Sequence, residues 1–381
     1  MLSASLDFLD HFSNVDEPRI ERTKIHGLTD ILFICVAGTI AGCDGPTDIA
    51  SFAKTQLAWC RKFVELKNGV PSHDTIGRVI SLIKPQQFQK AFLDWVAALA
   101  TDDKADGPRF VPIDGKTLRG SGGAKHRDNP LHVVSAWATQ QGMTLGQVAV
   151  DSKSNEITAI PKLLEMLELK GAIVSIDAMG CQKEIAKQIV VGGGDYVLAV
   201  KDNQPKLAEA IRQFFLQRHE QEDFHQYACR QHRTTGRARG QVESRYYMQA
   251  PIPAAMKGLC RSWKGLKSIG QAITITTSAD GKETSEIRYY ISSRAPKVKE
   301  FANSVRGHWA IESMHWILDV VFDEDSSRLR NGESTQNFGF LRKFVISLLK
   351  RDTSQGSLKG KRKKAAWSTD FLEKLLFGKD V

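Results

Sequence analysis

Two short apolar segments that each run into an aspartate limit the folds this chain can adopt. The segments are VPIDG, which carries Asp114, and VSIDA, which carries Asp177. An unpaired buried carboxylate is costly, so a core strand seldom ends on one without cause. We therefore expect both aspartates at the carboxyl ends of neighbouring strands, where open α/β sheets bind ligands. A pair of turn-forming aspartates is the alternative, and Asp114-Gly115 suits a turn well.

The elements predicted around these aspartates follow an α/β pattern. Apolar periodicity and turn residues predict, in order, strands at 109–113, 131–139 and 143–150, a helix at 156–169, a strand at 172–176, a helix at 182–191, a strand at 196–200 and a helix at 205–220. This βββ-α-β-α-β-α order predicts an RNase H-like mixed sheet with flanking helices, which would occupy residues 108–223.

The first hundred residues predict a helical amino-terminal domain (1–100). Its helices are expected at 25–43, 47–66, 74–83 and 85–99. Thr29-Asp30 is a plausible cap for the first helix, and Ser72 is placed to cap the third, which carries Arg78. A DNA-reading helix-turn-helix is one interpretation of this region, and plain helical packing is the other.

The pattern is less regular after the predicted sheet. Residues 224–299 are predicted to form a β-rich, Arg-rich insertion with strands at 244–248, 268–277 and 287–292. Residues 300–352 should complete the core with helices at 301–321 and 337–350. The remaining 353–381 form a basic tail with the run KGKRKK at 359–364, which would either bind DNA nonspecifically or aid solubility.

The charge balance indicates an anionic partner. Across 381 residues, 53 Lys and Arg against 43 Asp and Glu give a net charge of +10, which favours nucleic acid first and acidic lipid second. Length argues against membrane insertion, because the longest apolar run, 31–42, is well short of the ~20 residues needed to cross a bilayer. The first residues carry no signal peptide pattern, and the six cysteines are dispersed, so we expect a cytoplasmic, nucleoid-associated protein.

A third acidic residue stands out in the segment RGHWAIESMHWILD. On a helix, His308, Glu312, His315 and Asp319 would lie along one face because they are spaced by four, three and four. The alternative interpretation is a solvent-exposed helix face without function. Two histidines and two tryptophans around a carboxylate are unusual for such a face. If the strands that carry Asp114 and Asp177 are neighbours, these carboxylates could share divalent cations, and oxygen ligands suit Mg²⁺ or Mn²⁺.

Several motifs of the chain match those of a known protein family. The chain resembles insertion-sequence transposases of the DDE superfamily, in the ISAs subgroup that includes the H-repeat-associated proteins. The matching stretches are PSHDTIGR (71–78), PIDGKTLRGS (112–121), SIDAMGCQ (175–182), LAVKDNQP (198–205) and RGHWAIESMHWILDVVFDED (306–325).

The resemblance implies a catalytic, metal-binding triad of Asp114, Asp177 and Glu312 that holds two Mg²⁺ (or Mn²⁺) ions. It also implies double-stranded DNA as the partner and at least a dimer when two DNA ends are paired. The chain departs from many related transposases, which carry an Arg four residues before the catalytic Glu and a Lys seven after it. Here those positions are His308 and Asp319, so phosphate contacts must come from elsewhere, with His308, His315 and Asp319 as possible accessory residues.

Candidate DNA contacts are cations near the acidic residues and in the insertion. They are Lys116, Arg119, Lys201, Arg230, Arg233, Arg237, Arg239 and Arg245. Each alone could be a solvated surface charge, but clustered arginines bind phosphate by charge.

Four functions are compatible with the sequence. The first is a transposase that nicks element ends and joins the freed 3′-hydroxyl to target DNA. The second is an RNase H-like nuclease without strand transfer, and the third is a domesticated or inactive protein that only binds DNA. The fourth is a zinc hydrolase using His308, Glu312 and His315, which lacks the HExxH order.

Overall fold

A computed structural model of the chain describes residues 10–12, 14–21, 24–99, 107–122, 130–151, 154–238, 241–330 and 332–378. Helices dominate the amino-terminal part. They are α1 (Leu28–Ile40), α2 (Pro46–Thr55), the single turn α3 (Leu57–Cys60), α4 (His73–Leu82) and α5 (Pro85–Leu99).

A mixed sheet with flanking helices forms the centre of the molecule. Its first elements are β1 (Arg109–Leu118), β2 (Leu131–Ala138), β3 (Met143–Ala149), α6 (Glu156–Glu165), β4 (Ala172–Ile176), α7 (Lys183–Val191), β5 (Asp195–Val200) and α8 (Pro205–Gln221). β1 pairs antiparallel with β2 and parallel with β4, and β5 follows β4 in parallel. The predicted mixed α/β sheet of RNase H-like order is confirmed.

The predicted β-rich insertion continues this same sheet. It contains β6 (Arg230–Ala238), β7 (Gln241–Pro251), the turn α9 (Lys257–Cys260), β8 (Ser268–Thr277) and β9 (Glu283–Ser292). β9 pairs antiparallel with β5, so the strand order is β3-β2-β1-β4-β5-β9-β8-β7-β6. The sequence missed β6, because its Arg- and Thr-rich stretch has no apolar alternation to reveal a strand.

The two faces of the sheet are covered by different helices. On one face, Ile160 of α6, Ile185 of α7 and Phe215 of α8 share a core with Ile113 and Val174 of the strands. On the other face lies α10 (Val298–Val321), whose Phe301 and Val305 pack against Ile173, Val197 and Tyr290. Because strand residues alternate between faces, Asp114 and Ser175 point toward α10.

The helical amino-terminal part shares one core with the end of the chain. Helices α11 (Gly332–Arg351), α12 (Leu358–Trp367) and α13 (Thr369–Phe377) follow α10. Phe33 of α1, Phe92 of α5, Phe344 of α11 and Leu376 of α13 all belong to a single apolar cluster. The helices of 1–100 therefore bury their apolar faces against elements from the other end of the sequence.

The basic run of the predicted tail lies in α12, and two of its cations are buried. Lys361 pairs with Asp352 at 3.0 Å. Arg362 pairs with Asp44 at 3.2 Å and donates to the carbonyl oxygen of Thr39 at 3.2 Å. The Arg362 contacts fix α12 against the amino-terminal helices, and the Lys361 contact fixes it to the end of α11, so these two cations are not free to contact DNA.

The two predicted helix caps have different outcomes. Ser72 caps α4, because its Oγ accepts a hydrogen bond from the backbone N–H of Thr75 at 3.2 Å. Thr29-Asp30 does not cap α1, which begins at Leu28 after Gly27. Asp30 instead accepts a hydrogen bond from the backbone N–H of Leu66 at 3.1 Å. α4 packs through Ile76, Val79 and Ile80 and leaves Arg78 exposed, and a DNA-reading role for it stays a prediction.

The longest apolar run of the sequence is buried inside the protein. It forms most of α1, a helix of 13 residues of which 11 are buried. Within the described ranges, no helix has both the length and the apolarity needed to cross a membrane. All six cysteines carry free thiols.

Candidate active site

Asp114 and Asp177 are brought together by the parallel pairing of β1 and β4. The register places Ile113 opposite Ile176, and the residue that follows each of these isoleucines is an aspartate. Asp177 directly follows β4, as predicted, and its Oδ1 accepts a hydrogen bond from the backbone N–H of Gly180 at 3.2 Å. Asp114 does not end its strand. β1 continues to Leu118 because β2 keeps pairing with it after β4 has ended.

A cavity of about 230 Å³ contains all three predicted acidic residues. Asp114 and Asp177 enter it from the sheet, and Glu312 enters it from α10. The other lining residues are Ser175, Ile176, Ala178, Val197, Ala199, Lys201, Arg288, Tyr290, Val305, His308 and Trp309. The structure thus joins, at one site, residues that are almost 200 positions apart in the sequence.

The three carboxylates share an environment that disfavours their charged forms. Burial raises the pKa of Asp114 to about 7, and the charges of Glu156, Asp177 and Glu312 add to this effect. The pKa of Asp177 is raised by burial and by the Glu156 charge. The pKa of Glu312 is raised by burial, while the nearby Arg288 opposes the shift. Crowded carboxylates of this kind are stabilised when a cation binds among them, because the cation relieves their mutual repulsion.

The donor set suits a hard divalent cation better than zinc. The three acids offer only oxygen ligands, which Mg²⁺ and Mn²⁺ prefer. Among the described residues, no group of three or more His, Cys, Asp or Glu is arranged to hold one ion by itself. Mg²⁺ does not require such a cage, because it keeps several waters and takes further oxygens from substrate phosphates. A zinc site needs three or four protein ligands.

The predicted polar face of α10 is present, but its four residues have different surroundings. Nδ1 of His308 lies 3.3 Å from the Ser175 hydroxyl, and burial lowers its pKa to about 4. Nδ1 of His315 lies 3.6 Å from Asp114, and burial, together with the charges of Lys343 and Lys116, lowers its pKa to about 3. Both imidazoles are therefore neutral at pH 7. Asp319 lies outside the cavity and pairs with Lys116.

Lys116 is buried among acidic residues and does not lie on a surface that DNA could contact. Its Nζ lies 2.6 Å from Asp319, 3.5 Å from Glu324 and 3.6 Å from Asp325, and the side chain is only 7% exposed. The three acids also raise the pKa of Lys116 against the effect of burial. This corrects the prediction for Lys116, whose charge is used inside the protein. The contact between Lys116 and Asp319 fixes the end of α10 to β1.

The other predicted cations are distributed over several parts of the structure. Lys201 lines the acidic cavity, and Arg119 is exposed beside Asp325. Arg230, Arg233 and Arg237 are exposed on β6, at the edge of the sheet. Arg245 pairs with Glu243 and lies over the Trp309 ring, 4.8 Å from its centroid. Arg239 lies outside the described residues.

The structure reveals two residues that the sequence did not indicate. Arg288 of β9 lines the cavity, lies 5.8 Å from the centroid of the Trp309 ring, and influences both Glu312 and His308 by its charge. Glu156, the first residue of α6, acts by its charge on both Asp114 and Asp177. Neither lies in a recognisable motif. The pairing of β9 with β5 brings Arg288 to the cavity, and the packing of α6 on the sheet brings Glu156 near the aspartates.

The strand order and the acidic cavity at the parallel strand ends define an RNase H-like protein of the class that acts on nucleic acids. The family model described as "Transposase DDE domain" matches residues 105–348, and one described as "DDE_Tnp_1-associated" matches residues 9–96. The chain belongs to the DDE transposase family. DDE transposase domains generally use divalent metal ions.

Relatives similar over nearly the whole chain carry names of the same kind. "Putative transposase YncI" of Escherichia coli O157:H7 is 40% identical over 373 residues, which cover 97% of this chain and 94% of that protein. "H repeat-associated putative transposase YhhI" of Escherichia coli K12 is 37% identical over 376 residues, which cover 97% of each. A short relative, "Inactive transposase YbfQ" of the same strain, is 36% identical over 73 residues, which cover 19% of this chain and 87% of that protein.

Proposed function

We propose that this DDE transposase cleaves phosphodiester bonds at the ends of an insertion sequence and joins the freed 3′-hydroxyl to target DNA. Asp114, Asp177 and Glu312 are its catalytic residues. The convergence of these three carboxylates in one cavity, with Lys201 and Arg288 beside them, is the observation that carries this proposal.

The carboxylates would hold two Mg²⁺ or Mn²⁺ ions between β1, β4 and α10. When bound, such ions supply Lewis-acid stabilisation of the attacking and leaving oxygens of an in-line displacement. The protein's own contribution is to bring the three acids together and to hold them in place. The backbone N–H of Gly180 orients Asp177, and neutral His315 lies against Asp114 without adding a positive charge to the site.

Lys201 and Arg288 would contact the phosphates of the scissile strand. The chain lacks the Arg and Lys that many related transposases place four before and seven after the catalytic Glu. Arg288 reaches the same cavity from β9, and Lys201 reaches it from the residue after β5. A guanidinium and an ammonium on this wall can replace those cations, because phosphate binding depends on the position of the charge in space.

DNA contacts away from the cavity would lie on β6. The arginines of this edge strand are exposed, and a phosphate backbone could bind along it. Pairing two element ends would require at least a dimer during the reaction. A cytoplasmic, nucleoid-associated location is part of the same proposal.

The zinc-hydrolase alternative is the least compatible with the geometry. Zinc requires three or four protein ligands, and among the described residues no three His, Cys, Asp or Glu side chains, His308, His315 and Glu312 included, are arranged to hold one ion. An inactive protein is disfavoured because each of the three acids is present and lines the cavity. A nuclease without strand transfer has the same site, and only its products distinguish it.

Asp177→Asn is the direct test of the catalytic assignment. Removing one negative charge from the metal-binding site should slow cleavage by at least about a thousandfold, since metal-assisted charge stabilisation contributes several kcal/mol. DNA binding should be nearly unchanged. Cleavage of a plasmid carrying the element ends, with a gel-shift assay beside it, measures both effects with Mg²⁺, Mn²⁺ or Zn²⁺.

Asp151→Asn is the matched control, because Asp151 is an exposed carboxylate that pairs with Lys162. Wild-type cleavage by Asp177→Asn would remove Asp177 from the mechanism. Joined products in the wild-type reaction would distinguish a transposase from a simple nuclease, and activity with Zn²⁺ alone would favour the hydrolase.

A further inference from the structure

A second cavity lies beside the acidic cavity. Its volume is about 530 Å³, within the roughly 300–1,000 Å³ that is typical of ligand sites. The two cavities share three lining residues, which are Ala199, Lys201 and Arg288. The cavities therefore adjoin at the end of β5, and the three predicted catalytic acids line only the first of them.

The second cavity exists because β5 ends before its neighbour in the sheet. Pairing between β5 and β9 stops at Val200 and Tyr289. β9 also contains the residues from Glu283 to Arg288, which pair with β8 alone. On the side that β5 leaves uncovered, the backbone N–H and C=O groups of this segment have no strand partner. The segment is thus open to a ligand along one edge.

The first turns of α8 form the opposite wall of the cavity. Pro205, Ala208, Glu209 and Arg212 line it, and their spacing of three, one and three places them on one face of the helix. Arg212 is held on this face by Glu209, whose Oε2 lies 2.9 Å from its Nε. The second cavity is therefore a cleft between α8 and the uncovered edge of β9.

The cleft combines apolar surface with positive charge. Ile287 of β9 lines it and is 51% exposed, so a large apolar side chain is available for contact. The charged lining residues comprise three cations and two acids, which are Lys201, Arg212, Arg288, Asp202 and Glu209. A nucleotide has matching parts, because its base offers an apolar face and its phosphate carries negative charge. A double helix is too wide for a cleft of this volume, so only an unpaired nucleotide fits.

We propose that the cleft is a nucleotide subsite that takes an unpaired nucleotide next to the scissile phosphate. The base lies between Ile287 and α8, and the backbone crosses the end of β5 beside Lys201 and Arg288. This inference rests on the proposed function, which places the scissile phosphate at the three acids. Separating a base from the duplex is unfavourable, and contacts in the cleft offset this penalty.

The fluorescence of 2-aminopurine tests the proposal, because it rises when this base leaves the stack. The probe is a duplex copied from the element end, with 2-aminopurine on one side or the other of the cleavage site. Asp177→Asn binds each duplex and leaves it uncut. We expect the fluorescence to rise at one of the two positions. A base that stays stacked at both positions would overturn the proposal.

Ala208→Phe fills the cleft without removing a charge. Combined with Asp177→Asn, it should abolish the rise in fluorescence. Alone, it should slow cleavage by about tenfold or more, because the unpaired nucleotide loses its site. Gln217→Phe is the matched control, since it adds the same ring at an exposed position of α8 outside the cleft. It should keep both the signal and the rate.

A second variant covers the case in which Ala208→Phe fails to fold, which thermal unfolding detects. Ile287→Ser removes exposed apolar surface and should also reduce the fluorescence rise. A rise that persists in both variants would place the unpaired base elsewhere and overturn the subsite alone. If the wild type does not cut the element ends at all, the proposed function fails, and this inference fails with it.

Discussion

At the scale of single residues, the site combines three acids and one cation, Lys201, that the sequence reveals with a second cation, Arg288, that it does not. Asp114 and Asp177 follow apolar strand residues, and this local pattern identifies them. Lys116 lies two residues from Asp114, yet its charge is buried among three carboxylates. Arg288, in contrast, is more than 100 residues from Asp177 and lines the same cavity. Proximity along the chain is thus a poor guide to which cation lines the cavity.

Arg288→Ala should slow cleavage by about a hundredfold, because one charged donor to the phosphate in the transition state is lost. Arg288→Lys should recover part of the rate, since the charge returns without the planar guanidinium. Single-turnover cleavage at saturating DNA measures the effect. Arg261→Ala, which removes an exposed cation after α9, is the control, and equal rates for the two alanine variants would exclude Arg288 from the site.

The buried histidines make stability depend on pH in a defined direction. The pKa of His308 falls to about 4 in the folded protein from an ordinary value of 6.5. Between these two values the unfolded chain binds a proton that the folded protein does not, so the free energy of unfolding decreases as pH falls from 6.5 toward 4. Above pH 6.5 His308 contributes no pH dependence. Asp114 acts in the opposite sense, because its folded pKa is raised.

His308→Gln isolates this effect from that of every other titrating group. The stability of the wild type relative to the variant should decline as pH is lowered from 7 to 4.5, because only the wild type loses this contribution. Urea unfolding at several pH values gives the difference. A difference that stays constant over this range would show that His308 titrates normally in the folded protein.

At the scale of elements, α10 and β6 have separate tasks. α10 carries Glu312 and His308 into the cavity and is fixed at its end by the Asp319 pair with Lys116. β6 lies at the far edge of the sheet and exposes three arginines along one strand. Arg233 also lies 5.0 Å from the centroid of the Tyr246 ring, which holds its guanidinium near the sheet.

The β6 arginines should contribute to DNA affinity without affecting chemistry. In the double variant Arg233→Ala, Arg237→Ala, binding should weaken and the slope of log K against log salt should decrease by about one for each arginine. Fluorescence anisotropy with a labelled duplex at several salt concentrations measures this. The paired control is Lys183→Ala, Lys187→Ala, which removes two exposed lysines from α7. An equal loss of slope in both would mean that only net charge matters.

At the scale of the whole molecule, one apolar core joins both ends of the chain. The two family matches, 9–96 and 105–348, divide the sequence into a helical part and a sheet part. In three dimensions Phe92 of α5 lies 4.4 Å from Phe344 of α11 and 4.6 Å from Phe88, measured between ring centroids. Asn337 of α11 also donates to the carbonyl oxygens of Ile80 and Ile83, each at 2.9 Å.

Phe92→Ala should therefore destabilise the whole protein. The fully buried ring leaves a cavity between α5 and α11, and the expected cost is about 3–5 kcal/mol in the free energy of unfolding. Because the core is continuous, calorimetry should show one transition at a lower temperature. Leu82→Ala is the control, since Leu82 is 45% exposed. Two separate transitions in Phe92→Ala would indicate that the helical part unfolds independently.

The sequence by itself determined the order of the central elements and the three acidic residues. Strands such as 172–176 and helices such as 85–99 were predicted within a residue or two, because apolar periodicity and breakers are local signals. The tertiary structure decided which charges meet. Arg288 comes near the aspartates only through strand pairing, and Glu156 only through helix packing. The charge of Lys116 is neutralised by Asp319 at the end of α10 and by the acidic residues that follow this helix. A charge interacts through space with partners that the linear sequence does not specify.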